Sequence, residues 1–226
     1  VEVRNGEKLA FFDPEILSLS SEYLDKAFSD CKELEKYSIY IKDVRRLKEH
    51  TLDKNAEKLL ASAQSMASGS YQAFSMLQNA DLQFPSVEMN GEEIPVSNAR
   101  FVPLQTGNNR PLRKAVYEAF YKVYQEHRNT FAALFDAQLK QQYFFAKARN
   151  YPTAFAASVG EVDVSEKVWD HLISAVHKKI SAFHDYVALR KEMLCLEDLS
   201  MYDVYAPMVK DYEYHIDFEE AKEVIL

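Results

Sequence analysis

The sequence has six histidines, His50, His127, His171, His177, His184 and His215. A helical zinc site needs two of them at i and i+4, so that both imidazoles reach one ion from one face. No pair here is three or four residues apart. His177 and His184 share a helical face but sit two turns apart, about 10.5 Å along the axis. A zinc ion takes its ligands at about 2.0–2.1 Å, so a straight helix cannot bring these two to one ion. His171 and His177 point to different sides. The set reads as surface or partly packed histidines, and spacing assigns no metal ligand to this chain.

Nucleophiles fare no better. Cys31 and Cys195 lie far apart, match no metal or redox spacing and read as free thiols in a reducing compartment. No G-x-S-x-G elbow occurs. Ser68-Gly69-Ser70 falls inside a helical pattern, where a loosened turn explains it. Glu92-Glu93 and Glu219-Glu220 read as a hairpin rim and a first-turn charge placement, not as an acid–base pair. No phosphate cradle of the G-x-G-x-x-G or G-x-x-x-x-G-K-[ST] type is present. No catalytic residue is assigned.

One constellation has another character. Tyr202, Asp203 and Tyr205 fall in a stretch that reads as a short strand, and Arg149 and Tyr151 are of matching type elsewhere in the chain. Tyr hydroxyls and a carboxylate on a strand can line a groove and hydrogen-bond a peptide backbone. The competing reading is a buried Tyr–Asp pair that fixes the strand.

The elements that must position these groups follow from composition and pattern. The chain has 226 residues, 47% hydrophobic and 27% charged, with a net charge of -8. It has 14 Phe, 14 Tyr and only 5 Gly, where average usage would give roughly 16 Gly. Few glycines predict few tight turns and therefore few, long elements. The acidic balance and the lack of a clustered basic face exclude nucleic acid as the main partner. No apolar run approaches the roughly 18 residues of a membrane span. No signal segment opens the chain.

Asp13-Pro14 predicts a helix start with Asp at N-cap. Tyr37, Ile41, Val44 and Leu47 predict a helix over about 34–48. Asp53 caps a third helix with a stripe of Ala56, Leu59, Leu60, Ala63 and Ala67, kinked near Gly69 and ending near Gln78. Asn90-Gly91, between the runs 82–89 and 92–96, predicts a hairpin, with Pro85 and Pro95 marking edge strands. Asn109-Arg110-Pro111 restarts a helix with Pro near N1, and from Leu112 to Asn150 there is neither Gly nor Pro. Leu112, Val116, Phe120, Val123, His127, Phe131 and Leu134 predict one helix of about 40 residues, about 60 Å long, enclosed over 138–145. Asp163-x-x-Glu166 reads as a capping box. It opens a helix whose stripe of Val168, Leu172, Ala175, Val176, Phe183 and Val187 belongs to the core. Arg190 and Lys191 suit its C-terminal dipole. Residues 201–207 read as a strand, with 212–216 as its partner. The fold class is mainly α, a long-helix bundle with one or two small β-hairpins.

Val1-Glu2-Val3-Arg4 has no initiator Met, and the capping box Asp217-Phe218-Glu219-Glu220 opens a helix that the sequence carries for only about two turns. The expectation is a slice of a longer protein.

Several runs together carry a resemblance. They are Asp13-Pro14-Glu15-Ile16-Leu17, Lys48-Glu49-His50-Thr51-Leu52, Glu57-Lys58-Leu59-Leu60-Ala61 and Asn79-Ala80-Asp81-Leu82-Gln83-Phe84-Pro85. Arg128-Asn129-Thr130, Ala148-Arg149-Asn150-Tyr151, Leu189-Arg190-Lys191-Glu192-Met193-Leu194 and Met201-Tyr202-Asp203-Val204-Tyr205-Ala206-Pro207 follow. In that order the chain resembles the oligoendopeptidase F family of thimet-oligopeptidase-like zinc metallopeptidases along nearly its whole length. The resemblance implies a largely helical, cytoplasmic enzyme that hydrolyses short peptides in a deep channel, with zinc held by His-Glu-x-x-His and a downstream Glu. This sequence contains no His-Glu-x-x-His, so no zinc ligand or catalytic residue is carried over. Thr153 stands where Ser is more usual, and Cys195 where Gly is. The resemblance implies zinc in the full-length enzyme and none in this chain. It divides the chain into 1–107, part of an N-terminal helical region ending in the hairpin, and 108–226, the start of a truncated catalytic domain. This portion would be scaffold and channel wall, inactive alone. The alternative is a non-catalytic helical interaction module derived from a peptidase.

Overall fold

The structure, a computed structural model, describes residues 2–209 and 215–225, with side chains from residue 5 onward. The described residues form twelve α-helices and one two-stranded antiparallel sheet. In chain order they are α1 (Glu2–Leu9), α2 (Phe12–Ser18), α3 (Ser21–Asp30), α4 (Ser38–Arg46), α5 (Lys54–Ala67), α6 (Gly69–Met76), β1 (Val87–Met89) and β2 (Glu92–Ile94). Then come α7 (Asn98–Gln105), α8 (Arg110–Glu126), α9 (Arg128–Ala148), α10 (Ala154–Glu161), α11 (Glu166–Met193) and α12 (Phe218–Ile225). The mainly α class holds, with one small sheet.

Two compact units are present. One joins Val1–Leu82 to His127–Ser174, the other Gln83–Glu126 to Ala175–Leu226. In the first unit α1 packs on α5, α2 on α4, and α9 against α5, α6 and α10. Asp53 caps α5 as its position predicts, accepting from the Asn55 and Ala56 amides at 2.9 and 3.2 Å. Asp13 does not cap. Helix α2 begins at Phe12, and the Asp13 carboxylate accepts a hydrogen bond from the Tyr40 hydroxyl instead. Partial burial, then that hydrogen bond and the carboxylate's charge, push the Tyr40 phenol up to about 12. The 34–48 helix is also shorter than its stripe, because Lys32–Tyr37 takes 3-10 geometry before α4 begins. Leu60 is buried on α5, but Leu59, on the same expected stripe, is exposed. The kink falls at Ser68, between α5 and α6, and a π turn over Leu77–Asp81 carries the chain past Gln78.

In the second unit the Asn-Gly hairpin forms as the sequence predicts. Val87 pairs with Ile94 and Met89 with Glu92. Asn90 and Gly91 take φ 56 and 83, the two left-handed positions of a tight hairpin turn. Val87 and Val96 meet Val116 and Phe120 of α8 in the core. The Phe120 ring stacks on Phe84 at 4.7 Å and on Phe101 at 4.2 Å.

The 40-residue helix is two. His127, at φ -101 and ψ 8, leaves helical geometry between α8 and α9. The sequence shows no breaker there because none is needed: this bridge conformation is open to any residue. The expected enclosure over 138–145 is not observed, since Leu139, Tyr143 and Phe144 are exposed.

Nor does scarce glycine mean few elements. Three helices end in Schellman turns whose left-handed residue is not Gly. After α9, Asn150 (φ 59) and Tyr151 donate to Lys147 and Ala146; after α10, Asp163 (φ 55) and Val164 donate to Gly160 and Val159. After α11, Cys195 (φ 52) and Leu196 donate to Glu192 and Lys191. Asn and Asp tolerate this geometry best after Gly, while a Cys side chain is strained there. Asp163 is therefore the end of one helix and not the capping box of the next. Relieving the strain at residue 195 outweighs the added freedom of the unfolded chain. We expect Cys195→Gly to raise stability by about 0.5–1 kcal/mol, measured as a higher urea midpoint with an unchanged slope.

Candidate functional site

Two clusters bring charged side chains together, one in each unit. In the first unit, Glu57 lies in the first turn of α5 and Arg149 caps the end of α9. The Asn150 turn folds the chain back so that Tyr151 follows directly. Arg149 donates two parallel hydrogen bonds to Glu57, Nη1 to Oε1 at 2.7 Å and Nη2 to Oε2 at 2.8 Å. Glu57 Oε1 also accepts from the Leu52 amide at 2.9 Å. The pair thus ties the end of α9 to the loop before α5, and bidentate geometry of this kind is the stronger form of ion pair.

His50 locks the other side. Its Nδ1 donates to the Arg149 carbonyl at 2.8 Å, and its ring stacks on Tyr151 at 3.5 Å. Gly160 leaves room for that tyrosine: a Cβ there would meet Tyr151 Cε1 at 3.1 Å. Arg46 reaches the Gly160 carbonyl at 2.6 Å. Burial, then the Glu161 charge, push the Tyr151 phenol up, against the opposing effect of Arg46 and Arg149. Tyr151 is therefore a neutral hydroxyl at physiological pH, able to donate and to accept.

Of these groups, Glu57, Arg149, Tyr151 and Glu161 edge a cavity of about 840 Å³. Its polar lining includes four carboxamides, Gln64, Gln72, Gln141 and Gln142. A carboxamide donates and accepts, which matches the alternating groups of a peptide backbone. Gln141 Oε1 is buried and has no hydrogen-bond partner among the described residues. The expected cost of breaking the ion pair is about 1.5–3 kcal/mol for Glu57→Ala, the worth of a charge-assisted hydrogen bond in a mostly buried setting. A double-mutant cycle with Arg149→Ala should return about 1–2 kcal/mol of coupling. Additive losses would show that the two side chains act separately.

The second cluster holds Tyr202, Asp203 and Tyr205, and it corrects the strand reading. Met201–Asp203 is a 3-10 turn with a capping box between Ser200 and Asp203. The described part of the expected partner, His215 and Ile216, is not a strand, and residues 212–214 lie outside the described residues. The reason is a set of arginines that grasp backbone oxygens. Arg113 donates to the Tyr202 carbonyl at 2.9 Å, and Arg190 donates to the Asp203 and Ala206 carbonyls. An extended strand would point successive carbonyls to opposite sides, out of their reach.

The Asp203 carboxylate is 0% exposed. Arg110 donates to both its oxygens at 3.0 and 2.9 Å, Arg113 to Oδ1 at 2.9 Å and the Ser200 amide to Oδ2 at 3.0 Å. Its hydrogen-bonding sites are filled, so it presents nothing to a ligand. Its pairing is with arginines and not with the tyrosine the sequence suggested. Tyr202 lies under the Arg110 guanidinium at 5.3 Å, and Tyr205 is exposed. Arg149 and Tyr151 belong to the first unit, and Tyr202, Asp203 and Tyr205 to the second.

Sequence reasoning missed Glu57, Arg110, Arg113 and Arg190. Arg113 carried a signal, because it sits three residues before Val116 on the buried stripe of α8. Arg190 looked like a dipole partner and is buried instead. Glu57 carried no signal, being one of 35 acidic residues.

Among the described residues, no three His, Cys, Asp or Glu side chains lie close enough to hold a metal ion. His50 is already engaged by Arg149 and Tyr151. The donors present do not fit a zinc ion. No helix among the described residues is long and apolar enough to cross a membrane.

The fold agrees with what known proteins show. The oligopeptidase F model matches residues 15–84, and the model of peptidase family M3 matches residues 104–225. The chain belongs to peptidase family M3. It is 34% identical to oligopeptidase PepF of Bacillus subtilis (strain 168), over 96% of this chain and 32% of that protein. It is 33% identical to the oligoendopeptidase F homolog of Lactococcus lactis subsp. lactis (strain IL1403), over 99% of this chain and 38% of that protein. The crystal structure of oligoendopeptidase-F from Enterococcus faecium superposes with a TM-score of 0.87 at 35% identity, over 99% of this chain and 43% of that one. The chain therefore spans less than half the length of the relatives it matches.

Proposed function

We propose that this chain is part of a zinc metallo-oligopeptidase that hydrolyses short peptides in the cytoplasm, and that this part forms scaffold and channel wall. The observation that carries the reading is the ordered pair of family matches, over 15–84 and 104–225. They also support the division into an N-terminal helical region (1–107) and the start of a catalytic domain (108–226).

Within this reading, Arg149 and Tyr151 edge the wall that a peptide passes. The carboxamides around the cavity would hydrogen-bond its backbone, and the Tyr151 hydroxyl would add a neutral donor. Tyr202 and Tyr205 stand at a second surface, with Asp203 holding their turn in shape. Zinc and the residues that activate water would come from parts of the full-length enzyme outside these 226 residues, and no step of hydrolysis is assigned to the groups described.

Peptide hydrolysis by the purified 226-residue chain, followed with a quenched fluorescent peptide, tests this. We expect no turnover and no stoichiometric zinc. Turnover abolished by a chelator and restored by zinc would overturn the assignment of this part as non-catalytic.

A further inference from the structure

Helix α11 is 28 residues long, yet Arg190 is its only buried residue. From Glu166 to Tyr186 every side chain is exposed. At 100° per residue, its apolar side chains, from Leu189 through Val168, Leu172 and Phe183 to Ile173, cover an arc of about 200°. A helix resting on one surface needs an apolar stripe of only about 100°. The remaining arc holds Asp170, His177, Ser181, His184 and Asp185 and can stay in water. The apolar arc is wide enough to be enclosed from two sides. Among the described residues Phe155 meets Trp169 at its edge, with ring centroids 5.8 Å apart, and the 203–206 turn holds Arg190, but Phe183 stays 62% exposed and Val176 54%.

We propose that this face seats the remainder of a family-length M3 chain, as an internal interface of the full enzyme and not as a contact between two copies. The proposal rests on the reading that the chain is part of a longer peptidase. Two observations choose the occupant. The matches take up 96–99% of this chain but leave the larger part of each relative uncovered, so a family-length chain has much additional structure to place. The second observation is Lys179. It projects at about the middle of the apolar arc, some 20° from Val168. Enclosed there, its ammonium would need a counter-charge. A second copy packed face to face would set two such lysines in one apolar interface. The occupant is therefore an apolar surface that carries a carboxylate opposite Lys179.

The test co-expresses the 226-residue chain with the part of Enterococcus faecium oligoendopeptidase-F that lies outside the match, as two separate chains. We expect the two to purify together and the α11 amides from 168 to 189 to exchange at least tenfold more slowly in the pair than in the chain alone. Val176→Glu with Phe183→Glu, and separately Lys179→Glu, should lower capture at least tenfold. The same changes should leave the melting temperature of the isolated chain within 2 °C of its starting value, roughly the effect of a neutral surface substitution. Absence of capture, capture indifferent to these substitutions, or a discrete dimer of the isolated chain that the same substitutions dissolve would each overturn the proposal. Peptide hydrolysis by the pair is read separately: capture without hydrolysis keeps the interface and counts against the functional reading.

Discussion

Replacing Asp203 by alanine is expected to destabilise the second unit by about 3–5 kcal/mol, the usual cost of removing one partner from a buried ion pair. Arg113 is 4% exposed and would keep its charge with no carboxylate to face. Arg110 would lose both its bonds to Asp203, and the Ser200 amide would lose its cap. The 3-10 turn over Met201–Asp203 would open, and with it the carbonyls that Arg113 and Arg190 hold. Asp203→Asn keeps the shape and part of the hydrogen bonding, so it should cost less. Urea unfolding of the three proteins orders them, and a loss under 1 kcal/mol for alanine would show that the arginines find water instead.

The pH dependence has a definite sign. Burial pushes the Asp203 carboxyl up, but hydrogen bonds from Arg110, the Ser200 amide and Arg113, with the Arg110 charge, outweigh it and hold the carboxyl below its ordinary value of 3.8. A carboxyl lowered on folding stabilises the protein above its unfolded value. That contribution is lost as the pH falls through the folded value. The gap between wild type and Asp203→Asn should stay constant above about pH 5 and narrow below about pH 4, the range where an unfolded Asp takes up its proton. A gap that widens in acid would contradict the assignment.

Phe120→Ala is expected to cost a similar amount, about 3–5 kcal/mol, the range for removing a buried aromatic ring. Phe120 is the hub of the second unit's core. It stacks between Phe84 and Phe101 and lies in one cluster with Val87, Val96 and Val116. The sheet has only three residues in each strand, too few to stand without a surface to pack on. Loss of the ring should therefore unfold the hairpin with the helix, seen as a single cooperative transition at a lower midpoint. Phe120→Leu, which keeps most of the volume, should recover more than half of the loss. Two separate transitions in Phe120→Ala would mean that the hairpin stands without this packing.

Much of this protein was legible from local pattern. The Asn90-Gly91 hairpin, the Asp53 cap, the buried spacing of Val116, Phe120 and Val123 and the mainly α class all follow from interactions within a few residues. Such interactions are written directly in the order of the side chains. The order of its motifs also pointed to the peptidase family.

What only tertiary structure decided involves partners far apart in the chain. The 201–207 segment curls because arginines at 110, 113 and 190 hold its carboxylate and carbonyls, and no local period records that. Asn150, Asp163 and Cys195 take the left-handed turns that the scarcity of glycine seemed to forbid, because two hydrogen bonds at each helix end offset the strain. The wide arc of α11 shows the converse limit. An apolar stripe states that a surface favours cover, but no local period names the surface that would supply it.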